Sequence, residues 1–440
     1  MTDLLLATRN TIGDGLRRAA ARFRNRPALA FAGRDWDFAQ LDLAADRVAR
    51  RLFDLGLRPG DRVCALARNS DAYVLLWLGC VRAGFVHVPI NYALTGGELD
   101  AIVEQCGARA LFHQTSLAGS AEPARARAGI GIGGTLEDAI LPLATDPAWG
   151  AVGDTAPDDG VVDTDLVQLL YTAGTTGRSK GAMMTHRAFM AHYDSCIAAY
   201  QLGEGERELA ALPLYHSAQM HVCLMPMLFT GGFSHIIEAP EPGLCLDLIA
   251  REKISLFFAP PTVWIGLLRH LSFDGSDLSA LRKLLYGASI MPVPVLQELR
   301  RRLPRAWPFN LYGQSEIGPL ATALMPEEHD ERPGSVGRAV LNVRTRVVDP
   351  AMQDCAPGIP GEIVHRSPQL LQGYWGMPEE TARAFEGGWF HSGDIGTMDA
   401  EGYITVVDRL KDLINTGGVL VSSREVERRC SPTRWWPRSR

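Results

Sequence analysis

Apolar residues recur with a helical period over one part of the chain and with a strand period over another, and the change comes near residue 330. Leu41, Ala44, Val48, Leu52 and Leu55 fall on one helical face, with Gly56 placed to stop the helix. Arg62-Val63-Cys64-Ala65-Leu66 reads as a strand, and a helical run follows from Tyr73 to Cys80. The pair repeats downstream. Ile254 to Phe258 is a strand, Pro260-Pro261 starts a helix through Trp264, Leu267 and Leu268, and Lys283-Leu284-Leu285-Tyr286 leads to a helix through Val295, Leu296 and Leu299. Such alternation predicts a doubly wound α/β architecture with ligands at the carboxyl ends of the strands.

Two polar stretches interrupt the pattern. Residues 118–134 are rich in Ala and Gly, and residues 152–165 carry five aspartates, so both read as surface connections. Beyond residue 330, short segments such as Gly361-Glu362-Ile363-Val364-His365 lie between Gly and Pro turns and predict a smaller β subdomain.

Composition narrows the class. The 440 residues are 46% hydrophobic and 21% charged, ordinary values for a soluble globular protein of two or three domains. A net charge of −6 gives no electrostatic reason to expect nucleic acid as a partner. The longest apolar stretch, Ala72 to Val81, is too short to span a bilayer, and the first residues lack the features of a signal peptide. The eight cysteines stand singly with no C-x-x-C pair, which fits a reducing cytoplasm and argues against a zinc site.

The chemistry concentrates in Thr172-Ala173-Gly174-Thr175-Thr176-Gly177-Arg178-Ser179-Lys180-Gly181, which follows the apolar run Leu166 to Tyr171. Glycines that let the backbone approach closely, threonine hydroxyls and a lysine ammonium on one loop suit a polyphosphate. Walker spacing fails, because Lys180 follows Ser179 and precedes Gly181. Four further signals follow in order: Pro213-Leu214-Tyr215-His216-Ser217 and Tyr286-Gly287-Ala288-Ser289 at strand ends, then Asn310-Leu311-Tyr312-Gly313-Gln314-Ser315-Glu316 at another. The last comprises Trp389 to Asp394 and Asp408-Arg409-Leu410-Lys411-Asp412 in the β region.

With these segments in hand, the chain resembles the adenylate-forming superfamily of acyl-CoA synthetases, luciferases and peptide-synthetase adenylation domains. The shared features are the Gly/Thr/Lys loop, a Y-G-x-T-E segment, an S-G-D segment and a D-R-x-K-D hinge, with Ala173, Ser179 and Ser315 as departures. The resemblance implies a large N-terminal domain of doubly wound mixed sheets, a small β-barrel-like subdomain and a truncated C-terminal domain. The corresponding segments are 1–165, 166–332, 333–410 and 411–440.

It also implies roles. Thr172, Gly174, Thr175, Thr176 and Lys180 hold the β- and γ-phosphates of ATP, and Thr176 and Glu316 resemble the Mg²⁺-linked pair, since that ion needs few protein oxygens. Gly287, Ala288 and Ser289, with Tyr312, Gly313, Gln314 and Ser315, form the adenine slot, while Asp394 and Arg409 meet the ribose. His216 matches a residue that orients the acyl carboxylate against the α-phosphate and does not transfer a proton. Lys411 is the hinge, and Gly417 and Gly418 border the CoA tunnel. His391 reads as structural, because a carboxylate is already a nucleophile at neutral pH.

The implied reaction makes an acyl-adenylate from a carboxylic acid and MgATP, then a thioester with CoA. The segments Ser217 to Met225 and Pro260 to Trp264 hold no Asp, Lys or Arg to meet a second charge, which disfavours amino acids and dicarboxylates. A medium- or long-chain fatty acid fits this apolar lining first and an aryl acid second. A non-catalytic nucleotide- or acyl-binding protein and an adenylation domain feeding a carrier protein are the other functional classes, and a homodimer is an open alternative. At the end of the chain, Arg428 to Arg440 carries five Arg, two Trp and two Pro and departs from the family pattern; a shifted reading frame or a truncation is the expectation there, with impaired turnover.

Overall fold

The computed structural model describes residues 3–145, 160–172 and 179–410, together with the backbone of 414–415 and 420–421. Among the described residues within 3–410, nineteen strands form three sheets: β1 (Pro27–Phe31), β2 (Arg34–Asp37), β3 (Arg62–Leu66), β4 (Val86–Ile90), β5 (Ala110–His113), β6 (Ile132–Thr135), β7 (Leu166–Thr172), β8 (Lys180–Thr185), β9 (Arg207–Ala210), β10 (Phe233–Ile236), β11 (Leu256–Phe258), β12 (Lys283–Gly287), β13 (Trp307–Tyr312), β14 (Thr322–Leu324), β15 (Arg338–Ala339), β16 (Arg344–Val348), β17 (Gly361–Arg366), β18 (Phe390–Met398) and β19 (Ile404–Arg409).

The first large sheet has six strands in the order β6-β5-β3-β4-β7-β8 and the second nine, in the order β15-β14-β13-β12-β11-β9-β10-β1-β2. Their interiors are parallel, and antiparallel pairs occur only toward the edges. Parallel strands covered by helices on both faces should read as unbroken apolar runs, and β12 and β4 are buried at every position. The architecture is the mixed α/β arrangement expected from the alternating pattern.

Sheet membership crosses the 165/166 boundary drawn from the sequence. β7 and β8 complete the sheet begun by β3, β4 and β5, while β1 and β2 extend the sheet built by β9 to β15. One apolar core joins them: Ala28 and Leu29 of β1 and Val63 and Ala65 of β3 share a cluster with the helices Phe38–Asp54, Asp71–Ala83 and His186–Tyr200. Local signals set those helices. A capping box between Asp37 and Gln40 starts the first, whose predicted stripe is buried at Leu41, Ala44, Val48 and Leu52 and half-buried at Leu55, the residue that caps its end. Ser70 caps the second, and Gly84 ends it with a left-handed φ of 72°.

Residues 118–134, expected as a surface connection, instead hold the helix Ala118–Arg127 and strand β6. Small side chains explain the misreading, because buried Ala121 and Ala124 lay a helix against β5 without a conspicuous apolar stripe. The third sheet, β16-β17-β18-β19, is an antiparallel meander that covers most of the predicted β subdomain. Its last strand is tied to the nine-stranded sheet by the Ile404 carbonyl, which accepts from Val336 N–H, and by the pairing of Ile404 with Gly337. Among the described residues, no helix is long and apolar enough to cross a membrane.

One buried charge stands out in β9. Glu208 is fully buried; its carboxylate accepts from Ser234 Oγ at 2.8 Å on the neighbouring β10 and from Gln219 Nε2 at 2.6 Å, with no cation on it among the described residues. Burial pushes its pKa from 4.5 up to about 7. The native state thus holds this proton more tightly than the unfolded chain. Its contribution to stability is fully present below the unfolded pKa and is lost as pH rises through about 7. Glu208→Gln keeps the same partners without the charge. Relative to that variant, the wild type should lose about 3 kcal/mol between mildly acidic and mildly alkaline pH, read by urea unfolding; parallel pH curves for the two proteins would refute this.

Candidate active site

The segments singled out in the sequence meet at the carboxyl ends of β7, β9, β12 and β13. The Gly/Thr/Lys loop links β7 to β8, and Thr172 and Lys180 are directly paired across that antiparallel ladder. A P-loop runs from a strand into a helix, so the strand–loop–strand setting agrees with the failed Walker spacing. Gly174, Thr175 and Thr176 lie outside the described residues.

Glu316 sits in a 3₁₀ turn just after β13 and is buried. Its Oε1 accepts from Thr172 Oγ1 at 3.0 Å and from the Tyr374 hydroxyl at 3.3 Å, while its backbone carbonyl accepts from Leu371 N–H. One carboxylate therefore ties the end of β7 to the turn after β13 and to the segment before Tyr374. Both side-chain contacts fall on Oε1, leaving Oε2 without a partner among the described residues, which suits a cation that takes one protein oxygen and keeps its waters. Burial and the nearby Glu316 charge raise the Tyr374 pKa, so its hydroxyl stays a donor.

Two residues here escaped the sequence reading. Lys180 Nζ lies 5.2 Å from the centroid of the Tyr374 ring and 2.5 Å from Glu380 Oε2. Glu380 also pairs with Arg383, and the lysine holds the Glu380 pKa below its usual value. Glu380 lies in the first turn of the helix Pro378–Ala384, where an acidic residue is unremarkable because it complements the helix dipole. Nothing local links it to a lysine two hundred residues away. Tyr374 reaches the site because Gly373, Tyr374 and Trp375 run along β8: Met183 N–H donates to the Gly373 carbonyl, and Trp375 N–H to that of Gly181.

On the other side, Gly287 closes β12 opposite Leu311 of β13, with Ala288 at a φ of 63° and Ser289 exposed beyond it. Close approach requires the glycines here: a Cβ on Gly287 would lie 2.4 Å from the Leu311 carbonyl oxygen, and one on Gly313 would lie 2.0 Å from that of Pro319. Asp394 is buried and accepts from Tyr312 O–H at 2.8 Å and Gln314 Nε2 at 2.9 Å. Its other oxygen lies 3.4 Å from Arg409 Nε, its cross-strand partner on β19. Gln314 thus engages Asp394 and the Ser392 carbonyl, and the Ser315 hydroxyl bonds that of Ser217 at 2.8 Å.

His216 follows β9 and is exposed, beside Tyr215, which packs edge-on against Tyr92 at 5.4 Å. The surrounding protein lowers the imidazole pKa, so the ring is neutral at neutral pH. Its Nδ1 accepts from Ala218 N–H at 3.3 Å, which leaves the proton on Nε2, free to donate. His391 bonds Glu362 and the Glu386 carbonyl within the β subdomain, a scaffold position. Lys411, Gly417 and Gly418 lie outside the described residues.

Most apolar side chains of the two segments assigned to an acyl tail are buried in core clusters, while Ala218, Pro260 and Val263 are half-buried and Thr262 is exposed. Met220, Leu224 and Met225 pack in the cluster that holds Trp77 and Phe189, Val222 packs with Phe258, Leu311 and Leu320, and Trp264 is buried beside Phe257.

The family description AMP-binding enzyme matches residues 16–375. This chain belongs to that family. A feruloyl-CoA synthase from an Amycolatopsis species is 36% identical over 411 residues, covering 93% of this chain and 81% of that protein. A long-chain-fatty-acid–CoA ligase of Escherichia coli O157:H7 is 30% identical over 455 residues, covering 94% and 79%. The N-terminal domain of FACL13 from Mycobacterium tuberculosis, solved with an inhibitor, shares the fold with a TM-score of 0.85 at 26% identity, over 91% of this chain and 99% of that one. Family membership supports AMP-forming acid–CoA ligase chemistry and implies ATP and CoA as co-substrates.

Glu380 is the carboxylate paired with Lys180, so an anion drawn to that ammonium would compete with it. Glu380→Gln should tighten ATP binding about 5-fold, the scale of a partly exposed ion pair, in equilibrium dialysis without the acid. Unchanged or weaker binding would show that the pair does not compete.

Proposed function

We propose that the protein converts an aryl or arylalkenoic acid to its CoA thioester through an acyl-adenylate. A carboxylate oxygen attacks the α-phosphorus of ATP and pyrophosphate departs. The CoA sulfur then attacks the acyl carbon and AMP leaves, the thiol proton passing to solvent. The Thr172–Glu316 hydrogen bond carries this reading, because it brings the phosphate-loop strand against the turn that follows the nucleotide-binding Tyr312-Gly313.

Each residue has a physical task. Thr172 and Lys180, with Gly174, Thr175 and Thr176, bind the β- and γ-phosphates and stabilise the charge that grows on pyrophosphate. Glu316, with Thr176, would hold a magnesium ion, which supplies charge neutralisation to the phosphates. Gly287, Ala288, Ser289, Tyr312 and Gly313 receive the adenine edge, supported by Gln314 and Ser315, while Asp394 and Arg409 take the ribose hydroxyls. His216 donates from Nε2 to an oxygen of the acid or the α-phosphate and sets the attack angle. Lys411 remains the proposed hinge, and Gly417 and Gly418 the border of the CoA path.

Two observations favour an aryl acid over the fatty acid suggested by the sequence. Most of the apolar side chains read as lining a tail pocket take part in core packing, and the feruloyl-CoA synthase is more similar than the long-chain ligase. The fatty-acid reading keeps the support of that 30% identical relative. AMP and acyl-CoA formation, measured with ferulate, cinnamate, benzoate, octanoate and palmitate, separates them. The expected kcat/KM for the best aryl acid exceeds that for either fatty acid by about 10-fold or more. The reverse order would restore the fatty-acid assignment, and no AMP with any acid would favour a non-catalytic binding protein.

A further inference from the structure

The segment after His216 is a π-helix, Ala218–Leu224, closed by the Met225 N–H bonding back five residues to the Met220 carbonyl. Such turns are rare and gather at functional sites. Ser217 just before it and Gln219 and His221 within it alternate, and they reach the turn after β13, β9 and β7 in turn. Ser217 Oγ lies 2.8 Å from Ser315 Oγ, beside Glu316 after β13. Gln219 donates to Glu208 of β9 at 2.6 Å and accepts from Leu212 N–H at 3.2 Å. His221 Nε2 lies 2.8 Å from Gln168 Oε1 on β7, four residues before Thr172.

These contacts have a fixed direction. Gln168 Oε1 can only accept, so His221 Nε2 donates and its Nδ1 accepts from the Tyr193 hydroxyl at 2.8 Å. Gln168 Nε2 then donates to His87 Nδ1 at 3.1 Å. Burial keeps His221 and His87 neutral, as this order requires. Gln219 and His221 are completely buried. An apolar side chain would fill the Gln219 place without the desolvation cost of a polar one; His221 packs among Trp77, Phe189 and Tyr193, yet both of its ring nitrogens are also spent on polar partners, which packing alone does not require.

We infer that Ser217, Gln219 and His221 fix the His216 ring relative to the phosphate end of β7 and the Glu316 turn, which makes Gln219 and His221 positioning residues of the adenylation centre. The inference rests on the adenylation reading above. It differs from a packing role in one respect: the residues act through His216.

The test is a set of double variants. His221→Phe keeps the ring stacked on Phe189, whose centroid is 3.9 Å away, and deletes the donor to Gln168. Gln219→Leu deletes the link to Glu208. Each should lower kcat for acid-dependent ATP–pyrophosphate exchange by about 10- to 100-fold with the KM for ATP unchanged, the scale of a reacting group displaced by a fraction of an ångström. On a His216→Ala background each should cost less than about 2-fold more. His221→Gln, which restores a donor, should recover most of the loss. A full additional loss on the His216→Ala background, or a raised KM for ATP at unchanged kcat, would overturn the inference. If the larger replacements do not fold, Ser217→Ala is compared in the same way. If the wild type exchanges pyrophosphate with no acid, the adenylation reading fails, and the His216 imidazole resonance, assigned with His216→Ala, decides the positioning claim. A shift in His221→Phe sustains it, and an unmoved signal ends it.

Discussion

The Glu316 carboxylate is the point on which the site depends. It is buried, and a buried carboxylate persists only where donors meet it. Thr172 comes to it from the six-stranded sheet, Tyr374 from the segment that lies along β8, and the turn after β13 presents it from the nine-stranded sheet. Two sheets with separate hydrogen-bond ladders are thus brought to one oxygen atom. A second junction repeats the logic, because buried Asp394 draws Tyr312 and Gln314 of the nine-stranded sheet to the β-rich sheet. Polar groups placed at sheet boundaries do what apolar packing alone does loosely: they specify distance and direction.

Much of this was legible in the sequence because motifs at strand ends are local. A strand with its following turn lies within a dozen residues, so Tyr312-Gly313 to Glu316 and Gly287 to Ser289 could be placed from periodicity and turn residues. Asp394 and Arg409 came from the resemblance, and the register of β18 with β19 sets them opposite one another. What could not be read is what depends on sheet order. The pairing of β7 with β8 rather than with a helix, the exchange of strands across residue 165, and the meeting of Lys180 with Glu380 all join segments whose sequences carry no mark of each other. The apolar run after His216 was ambiguous for another reason. Periodicity reports that a side chain leaves water, and a core and a tail pocket both satisfy that.

The buried histidines follow the same economy. His87, His192 and His221 are fully buried, and burial holds the pKa of His87 and of His192 at about 3. Neutral imidazole offers one donor and one acceptor at fixed places, which suits a network that must keep a single geometry. A protonated ring among Trp77, Phe189 and Tyr193 would have no carboxylate to meet it among the described residues.

The β7–β8 ladder has a consequence for how an anion would be held under the proposed function. A loop that opens into a helix gathers the aligned peptide dipoles behind it, an attraction built into the backbone and always switched on. A loop strung between two antiparallel strands has no such reservoir, since strand dipoles largely cancel. The Lys180 ammonium at the start of β8 is met by the Glu380 carboxylate, so under the proposed function phosphate would be held there by discrete side chains. Under the proposed function, anion affinity at these strand ends would be a property of side chains that can change partners, so a grip on pyrophosphate could be released without unwinding any helix.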